Sequence, residues 1–178
     1  MNNEFLQREI RISLTADPSR IKITDQYTEE QKKILSKIKT RTLSEEFFVT
    51  WNEFFILEKL GLSKLVQDYY PDLTKIMNRE RLTTPNVLAK MDNKYFYMEI
   101  KEWYKRLDPL EQRDIIEHVR QTIKQMVTAR LAKILRLFVS VPFDENENLK
   151  TGLTIEEFNL CNIISEESEK FKQSVILD

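Results

Sequence analysis

Residues 108–139, DPLEQRDIIEHVRQTIKQMVTARLAKILRLFV, decide how the rest of the chain is placed. Asp108 is a natural N-cap, Pro109 suits the first helical position, and Glu111 stands where a capping-box carboxylate reaches back. Together they predict one helix from Asp108 to Val139, roughly 45 Å long at 1.5 Å per residue. Within it Ile116, Val119, Ile123, Met126, Val127, Ile134, Leu137 and Phe138 recur at spacings of three and four, a stripe that other elements must cover. Arg130 interrupts that stripe, where a guanidinium must snorkel to water or meet a carboxylate. Its neighbours four residues away are Met126 and Ile134, so any acid comes from elsewhere. The candidates are Glu99 or Glu102 on the preceding helix, Glu156 or Glu157 near the last helix, and an acid of another subunit. An acid of the same chain is always present during folding, and an Arg130–Glu99 pair is expected.

The chain has 178 residues, 41% of them hydrophobic, enough for one good core, or one core and a small satellite domain. Two glycines and five prolines are too few turn residues for a many-stranded barrel or sandwich and point to long helices. The net charge of −1 conceals a segregation. Arg120, Lys124, Arg130, Lys133 and Arg136 fall in residues 119–143 without an acid, whereas residues 144–170 carry eight acids against Lys150 and Lys170. Patches of opposite sign so close in sequence can neutralise each other, which weakens basicity as a sign of nucleic acid binding. A single cysteine, Cys161, excludes an internal disulfide and fits a reducing compartment. No run approaches the roughly eighteen apolar residues of a membrane span, and the N-terminus lacks a signal-peptide layout, so an intracellular protein is expected.

In chain order, Ile10, Ile12 and Leu14 alternate with polar residues, and Ile21 and Ile23 repeat the pattern after the turn residues 16–19. A β-hairpin is expected there. Thr28 with Gln31 is a capping box for a helix to about Lys39. Ser44 can open a helix that runs to Leu60 and stops at Gly61, although Phe47-Phe48-Val49-Thr50 is rich in β-formers and a strand entering a helix near Trp51 is the alternative. A short helix from Ser63 to Tyr69 then meets Pro71, where a domain boundary is placed. Helices follow over about 72–81 and 94–107, then the long helix, a polar loop over 142–152, and a last helix opened by the Thr154–Glu157 capping box. The fold class is mostly α, with a small α/β domain containing a β-hairpin (residues 1–70) ahead of a helical bundle domain (71–178).

Catalytic chemistry finds little footing. His118 has Ile115 three residues before it, so the Glu-x-x-His pattern of carboxylate-bridged metal sites is absent. Neither Gly61 nor Gly152 lies in a phosphate-cradling loop, and Cys161 sits on the apolar side of its helix as a small hydrophobe. No cofactor and no enzymatic activity are expected. What stands out is an excess of apolar and aromatic surface on few helices, the profile of a subunit, with Tyr95, Phe96, Trp103, Tyr104, Ile123 and Met126 as candidate interface residues. Arg120, Lys124, Lys133 and Arg136 form a candidate basic contact face, which leaves open a helical adaptor that binds duplex DNA directly.

Three blocks, residues 94–100 (KYFYMEI), 128–134 (TARLAKI) and 153–159 (LTIEEFN), resemble in order and spacing the helical domain of GINS subunits. The similarity is to the branch with the small domain first, the Psf-two and Psf-three type, including its archaeal counterpart. It implies a non-catalytic scaffold in a complex with a paralogous subunit, as a 2:2 heterotetramer. Such a complex links the Mcm replicative helicase to a RecJ-like partner and meets DNA only indirectly. It also implies a cytoplasmic, chromosome-associated protein, nuclear in a eukaryote.

Overall fold

The computed structural model describes residues 3–66 and 69–176 and divides the chain into two units, Met1–Gln67 and Asp68–Asp178. A small three-stranded antiparallel sheet with a hairpin precedes a helical bundle, the fold class expected.

The first unit contains α1 (Asn3–Leu6), β1 (Glu9–Leu14), α2 (Glu29–Ile38), β2 (Glu46–Thr50), α3 (Trp51–Lys59) and β3 (Ser63–Leu65). Strand β1 is central in the order β2-β1-β3, with Ile12 opposite both Phe47 and Leu65. Its alternation places Ile10, Ile12 and Leu14 in the core with Phe47 and Val49 of β2. Helices α2 and α3 contribute Ile34, Leu35 and Ile38, and Trp51, Phe54 and Leu57. Phe5 of α1 stacks on Trp51 at 5.2 Å between ring centroids.

The second arm of the sheet differs from the sequence expectation. Asp17 accepts a hydrogen bond from Ser19 N and caps a 3-10 turn over Pro18–Arg20, and Ile21 and Ile23 continue outside any strand. Both edges of β1 are already taken by β2 and β3. The aromatic and β-branched residues 47–50 outcompete helix formation, so the single helix from Ser44 gives way to strand β2 running directly into α3. Thr50 is the hinge, since its hydroxyl accepts from Glu53 N while Glu53 Oε2 accepts from Thr50 N. Gly61, at φ 72°, ends the run, with its N–H donating to Glu58 O and that of Leu62 to Leu57 O. The segment after it is β3 rather than the short helix expected from Ser63.

The second unit contains α4 (Tyr69–Leu82), α5 (Phe96–Tyr104), α6 (Arg113–Ser140), α7 (Glu147–Thr151) and α8 (Ile155–Val175). Pro71 sits within the first turn of α4, where a missing N–H is harmless, so the helix starts before that proline. The long helix α6 starts four residues later than expected, at Arg113 instead of Pro109. Asp108 does cap, accepting from Leu110 N at 2.8 Å, but only for an isolated turn. Gln112 folds its side chain back to accept from Asp108 N and leaves helical geometry at φ −121° before α6 begins. The Thr154–Glu157 capping box forms as expected, and the polar loop before it contains the short α7.

Among the described residues the bundle has two apolar clusters. One joins Leu73 and Met77 of α4 to Phe96, Ile100 and Trp103 of α5 and to Val119 and Met126 of α6. The other gathers Phe143, Leu149, Leu153 and Cys161 around Ile134. Met126 and Ile134 lie one helical turn either side of Arg130, so the guanidinium occupies the junction between the two clusters. Among the described residues no helix is long and apolar enough to cross a membrane.

Candidate functional site

Arg130 is 1% exposed, and all five of its N–H donors are engaged. Nε donates to Glu157 Oε1 at 2.7 Å and Nη2 to Glu157 Oε2 at 2.9 Å, a bidentate fork. Nη1 donates to Glu80 Oε2 at 2.9 Å and to Ala89 O at 2.7 Å, and Nη2 also to Gly152 O at 3.0 Å. One side chain thus fastens α4, the 83–95 connection, the loop before α8 and the first turn of α8 to the middle of α6.

Each acid has further partners. Glu157 also accepts from Thr154 N at 3.0 Å, as the capping-box carboxylate of α8, and from the Tyr97 hydroxyl at 2.9 Å. Burial by itself would raise its pKa. The hydrogen bonds and charge of Arg130, with the Thr154 N–H and the Tyr97 hydroxyl, outweigh that effect and hold the carboxyl below the usual carboxylate range. Burial first, then the facing Glu157 carboxylate, raises the Tyr97 phenol above its usual range, so it remains a donor. Burial disfavours the Arg130 charge, yet Glu157 holds the guanidinium protonated above its ordinary range. Glu80 is shared: Lys133 Nζ lies 2.7 Å from its Oε1, off the line of a well-formed hydrogen bond, and donates to the Glu80 carbonyl at 2.8 Å and to the Thr83 hydroxyl.

The expected Arg130–Glu99 pair is therefore corrected: the partners are Glu157 and Glu80. Glu99 is buried elsewhere and accepts from Asn93 Nδ2 at 2.5 Å. Glu157 was among the acids the sequence offered, whereas Glu80 was missed. A signal existed, since Glu80 follows Leu73 and Met77 by seven and three residues and so breaks the α4 stripe as Arg130 breaks that of α6.

The candidate interface residues separate into two groups. Tyr95, Phe96, Trp103 and Met126 are 0–3% exposed in the isolated chain, so they build its own core and cannot meet another subunit. Tyr104 and Ile123 instead line an open groove of about 760 Å³, together with Tyr97 and Ile100 of α5, Val127 and Leu131 of α6, and Leu160 of α8. The basic face is corrected too, because Lys133 is buried on Glu80 and Arg136 lies about 120° around the helix from Lys124. Arg120, paired with Glu117 at 3.6 Å and bonded to the Tyr104 hydroxyl, and Lys124 remain at the groove rim. His118 is exposed on α6. Among the described residues, no three His, Cys, Asp or Glu side chains are grouped to hold a metal.

The three sequence blocks converge on this cluster. Tyr97 comes from the first, Arg130 from the second and Glu157 from the third, and Ile155 N donates to Lys94 O at 2.9 Å to join the first and third directly. Residues 33–176 match the family model Sld5, described as the GINS complex protein helical bundle domain. The chain belongs to the GINS family. The match covers every helix from α4 to α8 and begins inside α2, so the GINS likeness also takes in β2, α3 and β3. No curated protein matches the chain. GINS subunits are non-catalytic scaffolds of a DNA replication complex, and such a role calls for a rigid helical unit with apolar surface left over for other subunits. In this GINS chain the arginine cluster ties four segments to α6, and the groove beside it is lined mostly by apolar side chains.

Proposed function

We propose that this chain is a scaffold subunit that links the Mcm replicative helicase to a RecJ-like partner, within a 2:2 heterotetramer with a paralogous GINS subunit. The observation that carries this reading is the convergence of the three GINS-like blocks on one saturated arginine cluster beside an apolar groove. The order of the units, sheet-bearing first and helical second, supports the small-domain-first branch, the Psf-two and Psf-three type with its archaeal counterpart. The helical unit carries assembly, through the groove at Tyr104 and Ile123. The N-terminal domain, drawn from sequence as residues 1–70, is the contact module for the helicase. The protein is chromosome-associated and meets DNA through its partners.

Co-expression with a paralogous subunit, followed by mass measurement of the purified assembly, tests the reading. A four-chain complex that captures an Mcm ring is the expected result, and deletion of residues 1–67 should weaken that capture while sparing assembly. A chain that purifies as a stable monomer indifferent to any paralogue would overturn the assignment.

A further inference from the structure

Among the described residues, the groove on α6 and the far end of α8 are both apolar surfaces without a cover, and they belong to the same chain. The inward stripe of α8 outruns its own core. Glu157 and Cys161 are buried and Ile164 is half-buried, but every residue from Glu169 to Ile176 is exposed. The stripe nevertheless continues, with Phe171 and Val175, seven and eleven residues after Ile164, at 67% and 56% exposure. An apolar stripe on turns that meet only solvent serves no packing within this chain.

We propose that the distal turns of α8 from a second copy of this chain occupy the α6 groove, a contact that rests on the reading of the chain as an assembly subunit present twice. Length and spacing agree. Residues 165–175 of α8 span about 16 Å of helix, and the groove runs along α6 from Val119 to Ile134, about 22 Å. Ile123, Val127 and Leu131 recur every fourth residue, the arrangement that receives an i, i+4 pair such as Phe171 and Val175. Charge agrees as well. Lys101, Arg120 and Lys124 line the groove against the single exposed acid Glu156, whereas the α8 turns carry Glu166, Glu167 and Glu169 against Lys170 and Lys172. The 2.6 Å pairs that join Glu167 to Lys170 and Glu169 to Lys172 are solvent-exposed, so they exchange for contacts across the groove at little cost. A twofold axis then closes both contacts at once, each copy giving one helix end and one groove. An unrelated helix in the groove would leave the α8 end uncovered.

The test uses the full-length chain alone, its mass followed by sedimentation across concentration. A dimer is expected, and Phe171→Asp with Val175→Asp should weaken it at least about tenfold, since both side chains would be buried in the contact. These positions are exposed in the single chain, so its helicity should stay unchanged. Lys101→Glu with Lys124→Glu in one chain, and Glu166→Lys with Glu167→Lys in another, should each give monomers that dimerise only when mixed. A wild-type monomer at the highest soluble concentration, a dimer indifferent to the α8 changes, or a failure of the mixed chains to pair would each overturn the proposal. So would a paralogous subunit that dissolves the dimer and protects the groove in hydrogen exchange. A chain that dimerises as described yet recruits no other subunit keeps this contact and removes the scaffold reading instead.

Discussion

Arg130 and Glu157, on different helices, are locked by two parallel hydrogen bonds of 2.7 and 2.9 Å, and the same carboxylate caps α8 by accepting from Thr154 N. The start of one helix and the middle of another are thereby a single mechanical unit. The value of such a pair lies less in its net energy than in what its removal leaves behind.

Arg130→Ala should therefore cost on the order of 3–5 kcal/mol, because Glu157 would remain buried without its cation and Glu80 with Lys133 alone. Arg130→Met refills the volume but still strands the Glu157 carboxylate, so it should recover only part of the loss. Urea unfolding of the wild-type and variant chains measures both, and a loss under about 1 kcal/mol would mean that Arg130 behaves as a surface charge.

The depressed Glu157 carboxyl sets a direction for acid sensitivity. Its ordinary value is 4.5, and in the folded chain it binds a proton less readily than in the unfolded one. The stabilisation is complete above that ordinary value. It declines as the pH falls below it, because the unfolded chain takes up the proton first, and it is gone once the folded carboxyl has also titrated. Unfolding free energy measured against pH should slope downward in that acid range, and Glu157→Gln should flatten the slope while lowering stability at neutral pH.

Lys133 and Lys124 lie on the same helix, and their substitution should give opposite results. Lys133→Ala removes the ammonium beside Glu80 and should cost about 1–3 kcal/mol, the range for leaving a buried polar group unsatisfied. Lys124→Ala, at the exposed groove rim, should stay within about 0.5 kcal/mol. Equal melting temperatures for the two variants would contradict the burial of Lys133.

Burial, with the nearby Glu157 charge, pushes the Cys161 thiol up to about 11. Reaction with a thiol reagent at neutral pH should thus be slow in the folded chain and rapid after denaturation. Fast labelling without loss of structure would show that the second apolar cluster is open to solvent.

Sequence by itself determined the features that rest on local periodicity and end chemistry. The Thr28, Thr154 and Gly61 signals mark real helix ends because each acts through bonds within a few residues. The alternation of Ile10, Ile12 and Leu14 is that of a real strand, and the interruption of a stripe by Arg130 announced a buried cation. Tertiary structure decided whatever depended on competition between distant segments. Ile21 and Ile23 have strand character, but β1 has only two edges, and residues 46–50 and 63–65 hold both. Asp108, Pro109 and Glu111 are sound start signals, yet the Gln112 side chain returns to the Asp108 N–H and the helix begins one turn later. Aromatic side chains at helical spacing look the same in sequence whether they face a neighbouring helix or another protein, and Trp103 turned out to face the core while Tyr104 beside it lines the groove. The acids of Arg130 were settled in the same way. Glu80 and Glu157 are fifty and twenty-seven residues away, and only the packing of α4, α6 and α8 sets their distance from the guanidinium.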